Sequence, residues 1–581
     1  MSDLWRRCSA ELLAKTIGEL CFEGLLVPEP GYVLRFDTAV YRFAAERTAF
    51  GGWAVEVGSV RRGAAGVLGD DVVEQCEDVQ RFVVEAFGFL GVDPGTTAGF
   101  LAEVTATLSA DVALAATAVP VAALAALPRA ELDGHLTGHP WLIANKGRIG
   151  FSADDVARYS PEARTPVRLP WLAVHRGLAE FRGVSELSEE AVRAHELSPA
   201  TVERFTEVLQ ETGADPGAYV WLPAHPWQVD HVVRTLWAPE LATGRIVELG
   251  EGPDWHLPTQ SIRTMSNVDD QTRFQVKLPL RILNTSVYRG IPPHCSLAAP
   301  VVTQWLRGLW RADKLIGEWG TVLLGEVASV TVRHPQLSRA GAVPYQWLET
   351  LGCVWREPVV LAPGERSWSL AAVLHVDPAG RPLVREFVGD TPPVEWYSAL
   401  LRVLFRPLLH VLYTYGITVN PHGENVVVIT DGSGLPVRVA LLDLVDDVNV
   451  SVDRVPERGL DPDAHDHVLP RKPWVVLRQY VVDALLVGVL RPLARLADLP
   501  EDVFWGLVRG EVDAYRARFP TLAPRMDEGS LTSETFTRYP LNSYRLTLGY
   551  QDLPTRPPVP TGGVIPNPLH DVAPVEPVDG W

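Results

Sequence analysis

The sequence predicts a mixed α/β protein of the α+β type, built from about three lobes. Three observations lead there. Apolar residues recur at three- and four-residue spacing over long segments near both ends of the chain, as on the buried face of a helix. Between these segments lie short alternating runs joined by turn residues such as Asp431-Gly432-Ser433-Gly434, as in hairpins. The 581 residues, divided by roughly 150 per domain, make three or four units.

Residues 1–134 read as mostly helical: LWRRCSAELLAKTIGEL, DDVVEQCEDVQRFVVEAFGFL and an Ala-rich run at 112–127. Two alternating stretches, VLRFDTAVYRFAA and GWAVEVGSVRR, read as strands. The Ala-rich run is too short to span a bilayer and is broken by Pro120, so a buried helix pair is expected. Residues 135–350 are mixed. RFQVKLPLRILNTSVYR reads as one long strand followed by a turn, and VTQWLRGLWRADKLI as an amphipathic helix with Trp305, Leu306, Leu309 and Trp310 on one side. In residues 351–553, a helix from Ser398 to Tyr415 ends at Gly416, VVVIT-DGSG-LPVRVALLDL forms a hairpin, and two further helices follow. Residues 554–581 are Pro-rich, and an extended or mobile tail without ladder pairing is expected.

Lys and Arg total 52 against 71 Asp and Glu, a formal charge of -19. Such a field repels phosphate, which argues against nucleic acid or an anionic membrane as partner. An anionic small molecule would need basic side chains gathered locally. The five cysteines are odd in number, irregularly spaced and without CxxC, and the N-terminus carries no signal-peptide pattern. Reduced thiols and a cytoplasmic location are expected. Common NTPase, dehydrogenase, zincin and lipase motifs are absent from the sequence.

Four polar stretches stand out. The first is Gly138-His139-Pro140-Trp141 with Lys146 and Arg148, and the second is Ser261-Ile262-Arg263-Thr264. The third pairs Lys277 with Arg289 across a strand. An Arg flanked by hydroxyls, with a Lys nearby, suits phosphate or carboxylate oxygens; surface ion pairing is the plain alternative. The fourth is His422-Gly423-Glu424-Asn425, which enters the hairpin that ends at Asp443. A hairpin returns those two oxygen donors, Asn425 and Asp443, to one end. Kinase-like lobes hold magnesium over nucleotide phosphates in this way, although a capped turn would show the same residues. His225, in LPAHPWQ, reads as a packed turn histidine.

Taken in order, GHPWLIANKGRIGFSADDVARYSPE, LPAHPWQ, QSIRT, KLPLRILNTSVYRG, HGENVVV and LLDLVDD resemble the IucA/IucC family of NRPS-independent siderophore synthetases over residues 138–447. The resemblance implies a cupped hand of thumb (1–134), fingers (135–350) and kinase-like palm (351–553), and a homodimer. It implies ATP and Mg2+ as cofactors, adenylation of a citrate-like polycarboxylic acid with release of pyrophosphate, and transfer to an amine or alcohol. Carried over, Ser261, Arg263, Thr264, Lys277 and Arg289 match the phosphate-binding residues, and Lys146 and Arg148 a motif facing phosphate or carboxylate. His139 matches a histidine near the reacting carboxylate, with orientation of the acyl-adenylate and deprotonation of the nucleophile both open. His422, Glu424, Asn425 and Asp443 match the nucleotide positions of the palm, and Asn425, Asp443 and Glu424 the metal positions.

The chain departs from the family pattern in three places: Leu142-Ile143 replaces a second His-Pro, Glu424 replaces a Gln, and Leu442 replaces a basic residue. Three other activities compete with the leading reading. They are a later condensation on a preformed citryl or succinyl monoamide, a kinase-like phosphotransferase, and a carboxylate- or nucleotide-binding protein without chemistry.

Overall fold

The computed structural model describes residues 2–65, 74–285, 287–453, 468–549, 552–556 and 562–577. The mixed α+β class is observed, organised around three large apolar cores.

The first core is N-terminal. The helix Ser2–Phe22 packs with Val79–Leu90 and Pro94–Ala116 over the strands Val33–Arg35, Ala39–Arg42 and Arg61–Ala64. Asp78 caps the second of these helices by accepting from the Arg81 N–H, and Asp93 caps the third. The second helix is therefore shorter than the sequence pattern suggests: Glu74–Gln75 is a strand, and residues 70–73 lie outside the described residues. A helix does precede Pro120 and a short one, Val121–Leu124, follows it, but the run is not the buried pair expected: of its residues only Leu114, Val121 and Leu124 are buried, while most of its alanines face solvent.

The second core lies on an eight-stranded antiparallel sheet. Its spatial order is Ala179–Gly183, Glu326–Val332, Gly352–Arg356, Gln275–Lys277, Thr264–Asn267, Ile246–Pro258, Val167–His175 and Tyr219–Pro223. The expected long strand is not continuous. Pro279 has no N–H to give to a ladder, so pairing ends just before it, and Leu280–Asn284 turns back on Val287–Arg289 as a separate hairpin. His225 is fully buried, and its Nδ1 accepts from the Trp227 N–H, which makes it the turn residue expected.

The third core surrounds the helix Pro393–His410 and the sheet Val322–Leu323, Pro436–Leu441, Val426–Thr430 and Arg366–Ser369. Val426 and Val428 enter this core, while Val427 and Ile429 pack on the other face with Leu324, Ala440 and Leu442. Burying each such side chain contributes about 1.5–3 kcal/mol, so the hairpin is anchored on both faces. The helix Pro293–Ala312, from the middle of the chain, buries Trp305, Leu306 and Leu309 in this same core.

The tail expectation needs correction. Val564–Pro566 pairs antiparallel with Thr535–Thr537, Leu569 is buried, and the Val575 N–H donates to the Gly506 carbonyl. Pro566 is compatible at the strand end because a two-stranded ladder needs only alternate N–H groups, and Pro568 opens the short helix Pro568–Asp571, where its missing N–H is not needed. Residues 557–561 and 578–581 lie outside the described residues.

Candidate active site

The site forms where the eight-stranded sheet meets the open end of the hairpin Val426–Thr430 and Pro436–Leu441. Thr264 pairs with Lys277, Lys277 with Val354, and Gln275 with Arg356, so three adjacent strands place Arg263, Lys277 and Arg356 side by side. The Leu278 N–H donates to the Arg263 carbonyl and continues that register. On the opposing hairpin, Val426 pairs with Leu441 and the Leu442 N–H donates to the Asn425 carbonyl. Asn425 and Asp443 thus emerge at one end, as expected.

The two halves meet through charge. Lys277 Nζ lies 2.6 Å from Asp443 Oδ1, 2.8 Å from Asp446 Oδ2 and 3.6 Å from Glu326 Oε1. Arg356 reaches Glu326 at 3.3 Å and Asp443 at 3.2 Å, and Arg263 reaches Asp446 at 3.5 Å. Arg263 also donates to the Gly290 carbonyl. Lys277, Arg356 and Arg263 are 5%, 4% and 6% exposed, so these are buried ion pairs. Burial alone would raise the Asp443 and Asp446 pKa values, but Lys277, helped by Arg356 and Arg263, holds both below the usual carboxylate range. Burial opposes the charge on Lys277 too, and Asp443, Asp446 and Glu326 override it and raise its pKa.

Arg289 is less well compensated. Its Nη2 donates to Thr285 Oγ1 at 2.6 Å, and its Nε is a buried donor without a partner. Burial, then the neighbouring Arg263, pushes its pKa down to about 10. Asp447 is the acidic counterpart. Asn425 Nδ2 donates to it at 2.7 Å and Asn420 Nδ2 at 3.1 Å, yet burial and the nearby Asp443 push its pKa up to about 7.

Three of these motifs adopt backbone conformations that L-residues avoid. Ile262 has φ 65°, Asp443 φ 64° and Arg148 φ 42°. For β-branched Ile262 this is a true outlier, of a kind that costs about 1–3 kcal/mol and collects at functional sites. Close backbone approach matters as well: a Cβ on Gly423 would sit 2.9 Å from the Ala371 Cα, so only Gly lets the His422–Asn425 turn pack there.

Beside this network is a cavity of about 540 Å3, lined in part by Gly138, His139, Gln260, His422, Gly423 and Glu424. His139 Nδ1 accepts from the N–H groups of Trp141 at 3.2 Å and Leu142 at 3.1 Å. With Nδ1 an acceptor, the ring proton sits on Nε2. Burial, reinforced by Lys15, pushes its pKa down to about 3, so the ring stays neutral and can donate from Nε2. Burial also raises the Glu424 pKa, against the pull of His422 and Arg289, and lowers that of His422.

Other expected residues sit differently. Arg148 is forked onto Glu162, and Lys146 donates to Asp111 at 2.6 Å and to the Thr137 carbonyl at 2.5 Å. Both are buried on protein acceptors, and neither lines the cavity. Ser261 Oγ accepts from the Thr264 N–H at 3.2 Å and so closes its own turn. Leu442 packs in the apolar cluster behind the hairpin. Sequence reasoning missed Arg356 and Glu326, which sit in strands without motif character.

No preformed metal cage exists: among the described residues no three His, Cys, Asp or Glu side chains are grouped to hold an ion. Of the expected trio, Asp443 is tied to Lys277 and Arg356, and Asn425 uses its amide nitrogen on Asp447. The positively charged hollow expected from the motifs is in fact an ion-pair network with interleaved acids.

Comparison with known proteins agrees with this architecture. A profile of the IucA / IucC family matches residues 128–375, and one described as ferric iron reductase FhuF-like transporter matches residues 394–553. That second segment contains no cysteine and so offers no thiolate for an iron–sulfur centre. Among the described residues the one helix long and apolar enough to cross a membrane, Pro94–Ala116, lies outside it. The rhizobactin siderophore biosynthesis protein RhbF of Rhizobium meliloti (strain 1021) is 37% identical, covering 98% of this chain and 96% of its own. An aerobactin synthase of Escherichia coli is 31% identical over 94% of each. The structure of aerobactin synthetase IucC from a hypervirulent pathotype of Klebsiella pneumoniae superposes with a TM-score of 0.84 at 28% identity, covering 98% of this chain and 99% of that one. With full-length similarity at this level on a shared fold, the chain belongs to the IucA/IucC family, whose relatives here are siderophore synthetases.

Proposed function

We propose that the protein is an ATP-dependent, AMP-forming ligase. It adenylates a carboxylate of citrate or a similar polycarboxylic acid, releases pyrophosphate, and transfers the acyl group to an amine or alcohol. The observation that carries this reading is the convergence of Arg263, Lys277, Arg289 and Arg356 beside the cavity holding His139 and Glu424, in a chain of net charge -19.

In the first step a carboxylate oxygen attacks the α-phosphorus and the bond to pyrophosphate breaks. Two unit charges 4 Å apart repel by about 4 kcal/mol at an effective dielectric near 20, so this approach needs fixed cations. Arg263 and Arg289 are the ones with spare capacity: Arg263 holds Asp446 only at 3.5 Å, and Arg289 Nε has no partner. Asp443, Asp447 and Asn425 are the oxygen-bearing side chains that would hold magnesium, Asp443 by giving up its ion pairs with Lys277 and Arg356, and the raised Asp447 pKa marks a position short of positive charge. Magnesium bound there with the phosphates would neutralise their charge and polarise the phosphoryl group.

In the second step the amine nitrogen bonds to the acyl carbon and the bond to AMP breaks. His139 Nε2–H serves as a donor to the acyl-adenylate. The two backbone N–H groups on Nδ1 leave the ring no acceptor, so it does not take the amine proton. Glu424, with its pKa raised by burial, is the group placed to accept it.

The test is pyrophosphate release over a panel of polycarboxylic acids and citryl monoamides, with hydroxylamine as trapping nucleophile. Arg263→Ala is expected to lower that release at least 100-fold with the fold intact. Formation of ADP with phosphorylated acceptor would establish a phosphotransferase instead. ATP binding with no turnover on any acid would establish a binding protein.

A further inference from the structure

The cavity extends beyond the groups used above. Its far wall is the helical stretch that carries Val475, Val476, Gln479, Tyr480, Asp483 and Ala484. The α-helix Trp474–Val481 passes there into a π-helix, Val482–Leu490. A π turn widens the helix and re-aims its side chains, and such turns are frequent at functional sites. Asp483 is the second residue of that turn.

Asp483 has one partner for its charge-bearing end, Gln479 Nε2 at 2.7 Å, and forms no ion pair among the described residues. The cation acting on it, Arg478, is committed to the Ser530 carbonyl at 2.9 Å and Ser533 Oγ at 3.1 Å. Burial therefore prevails and pushes the Asp483 pKa up to about 8. Lys472, half-buried, lines the same cavity without pairing to Asp483.

Gln479 Nε2 also donates to the Thr537 carbonyl at 2.8 Å. Both contacts require the NH2 group, so the amide orientation is determined, and Oε1 is left as a buried acceptor with no partner. The wall thus presents a carboxyl group short of donors among Val475, Val476 and Ala484. Acceptors in apolar surroundings are costly unless something donates to them. An ammonium group supplies three donors and the missing charge.

We propose that Asp483, held in place by Gln479 Nε2, forms a subsite for the distal ammonium of a diamine nucleophile, whose other, uncharged amine meets the acyl group beside His139 and Glu424. The substrate assignment rests on the ligase reading above and deepens it. The covalent step is unchanged: the near amine forms the C–N bond, AMP leaves with the C–O bonding pair, and the amine proton passes to Glu424. The distal ammonium takes no part in bond making and sets position and selectivity.

The experiment compares 1,4-diaminobutane with butylamine on the full chain. Calorimetry without ATP reads binding, and amide formation and hydroxylamine-trapped pyrophosphate release read the two steps. Asp483→Asn keeps the size and the hydrogen bond from Gln479. It is expected to lose at least tenfold in diamine affinity and to raise the diamine KM by the same factor. Butylamine binding and hydroxylamine-trapped release are expected to stay within twofold of wild type. Asp483→Glu, which restores the charge, is expected to recover the diamine preference. Diamine affinity within twofold of wild type in Asp483→Asn, with trapped release normal, would overturn the subsite. Asp483-dependent diamine binding in a protein that releases no pyrophosphate would sink the ligase reading and uphold the amine subsite.

Discussion

Lys277→Met removes the charge that joins the sheet to the hairpin while keeping most of the side-chain volume. In the wild type, Lys277 Nζ stands 2.6 Å from Asp443, 2.8 Å from Asp446 and 3.6 Å from Glu326. After the substitution Arg356 still serves Asp443 at 3.2 Å and Glu326 at 3.3 Å, but Asp446 keeps Arg263 at 3.5 Å, the field of Arg556 and the weak Cys295 thiol donor. Removing one partner of a buried pair costs about 3–5 kcal/mol, and that range is expected at pH 8. The deficit has a definite pH dependence. In the wild type the Asp446 pKa is depressed by Lys277, so its contribution to stability is present above the ordinary carboxylate pKa and is lost only as pH falls through the folded value. In the variant burial is opposed chiefly by Arg263 and Arg556, the folded pKa rises, and the carboxylate escapes part of its penalty by taking a proton as pH falls. Each unit of such a shift is worth about 1.4 kcal/mol, so the deficit is expected to shrink by about that amount or more between pH 8 and pH 5. Thermal or urea midpoints of both proteins at the two pH values provide the measurement. A deficit below about 1 kcal/mol at pH 8, or one that is the same at both pH values, would refute the role given to Lys277.

Asp447→Asn addresses the opposite sign. Because the folded pKa of Asp447 is raised to about 7, its protonated form favours the folded state at low pH, and that advantage fades as pH rises toward and through 7. The melting temperature of the variant relative to wild type should therefore climb from pH 5.5 to pH 8.5, and a flat difference would contradict the assignment. Amide formation needs an uncharged amine and is expected to rise with pH; Glu424→Gln should leave hydroxylamine-trapped pyrophosphate release within a few fold and move that rise to higher pH, and an unchanged pH–rate profile would remove Glu424 as the base. Arg148→Met should lower stability by about 3–5 kcal/mol through the orphaned Glu162, measured by urea unfolding, whereas a stable variant with a raised KM for the acid would mean substrate contact instead. Gly423→Ala should cost about 1–3 kcal/mol and depress adenylation, because the added methyl meets Ala371 at 2.9 Å; wild-type activity would show that the turn can shift freely.

Much of this architecture can be read along the chain because its causes are local. The helix that ends at Gly416 stops where a residue with φ 65° is required, and the Val426–Thr430 hairpin turns at Asp431 and Gly434 by side-chain and backbone rules acting over a few residues. The identity of the basic residues was legible too, since Arg263, Lys277 and Arg289 stand out in a chain so acidic. Their partners were not. Asp443 and Asp446 meet Lys277 from 166 and 169 residues away, and Arg356 and Glu326 join them only through strand register. The same limit hid the fate of Arg148, which reads as a substrate cation until Glu162 folds over it, and of the tail, whose strand exists only because 535–537 offers an edge. Sequence alone determined which segments could be helix, strand or turn and which side chains could carry charge chemistry, because propensity and pattern act between near neighbours. Tertiary structure decided which charges neutralise one another, which histidine nitrogen bears the proton and which acid is left without a partner, because desolvation and Coulomb energy depend on distances that only packing sets.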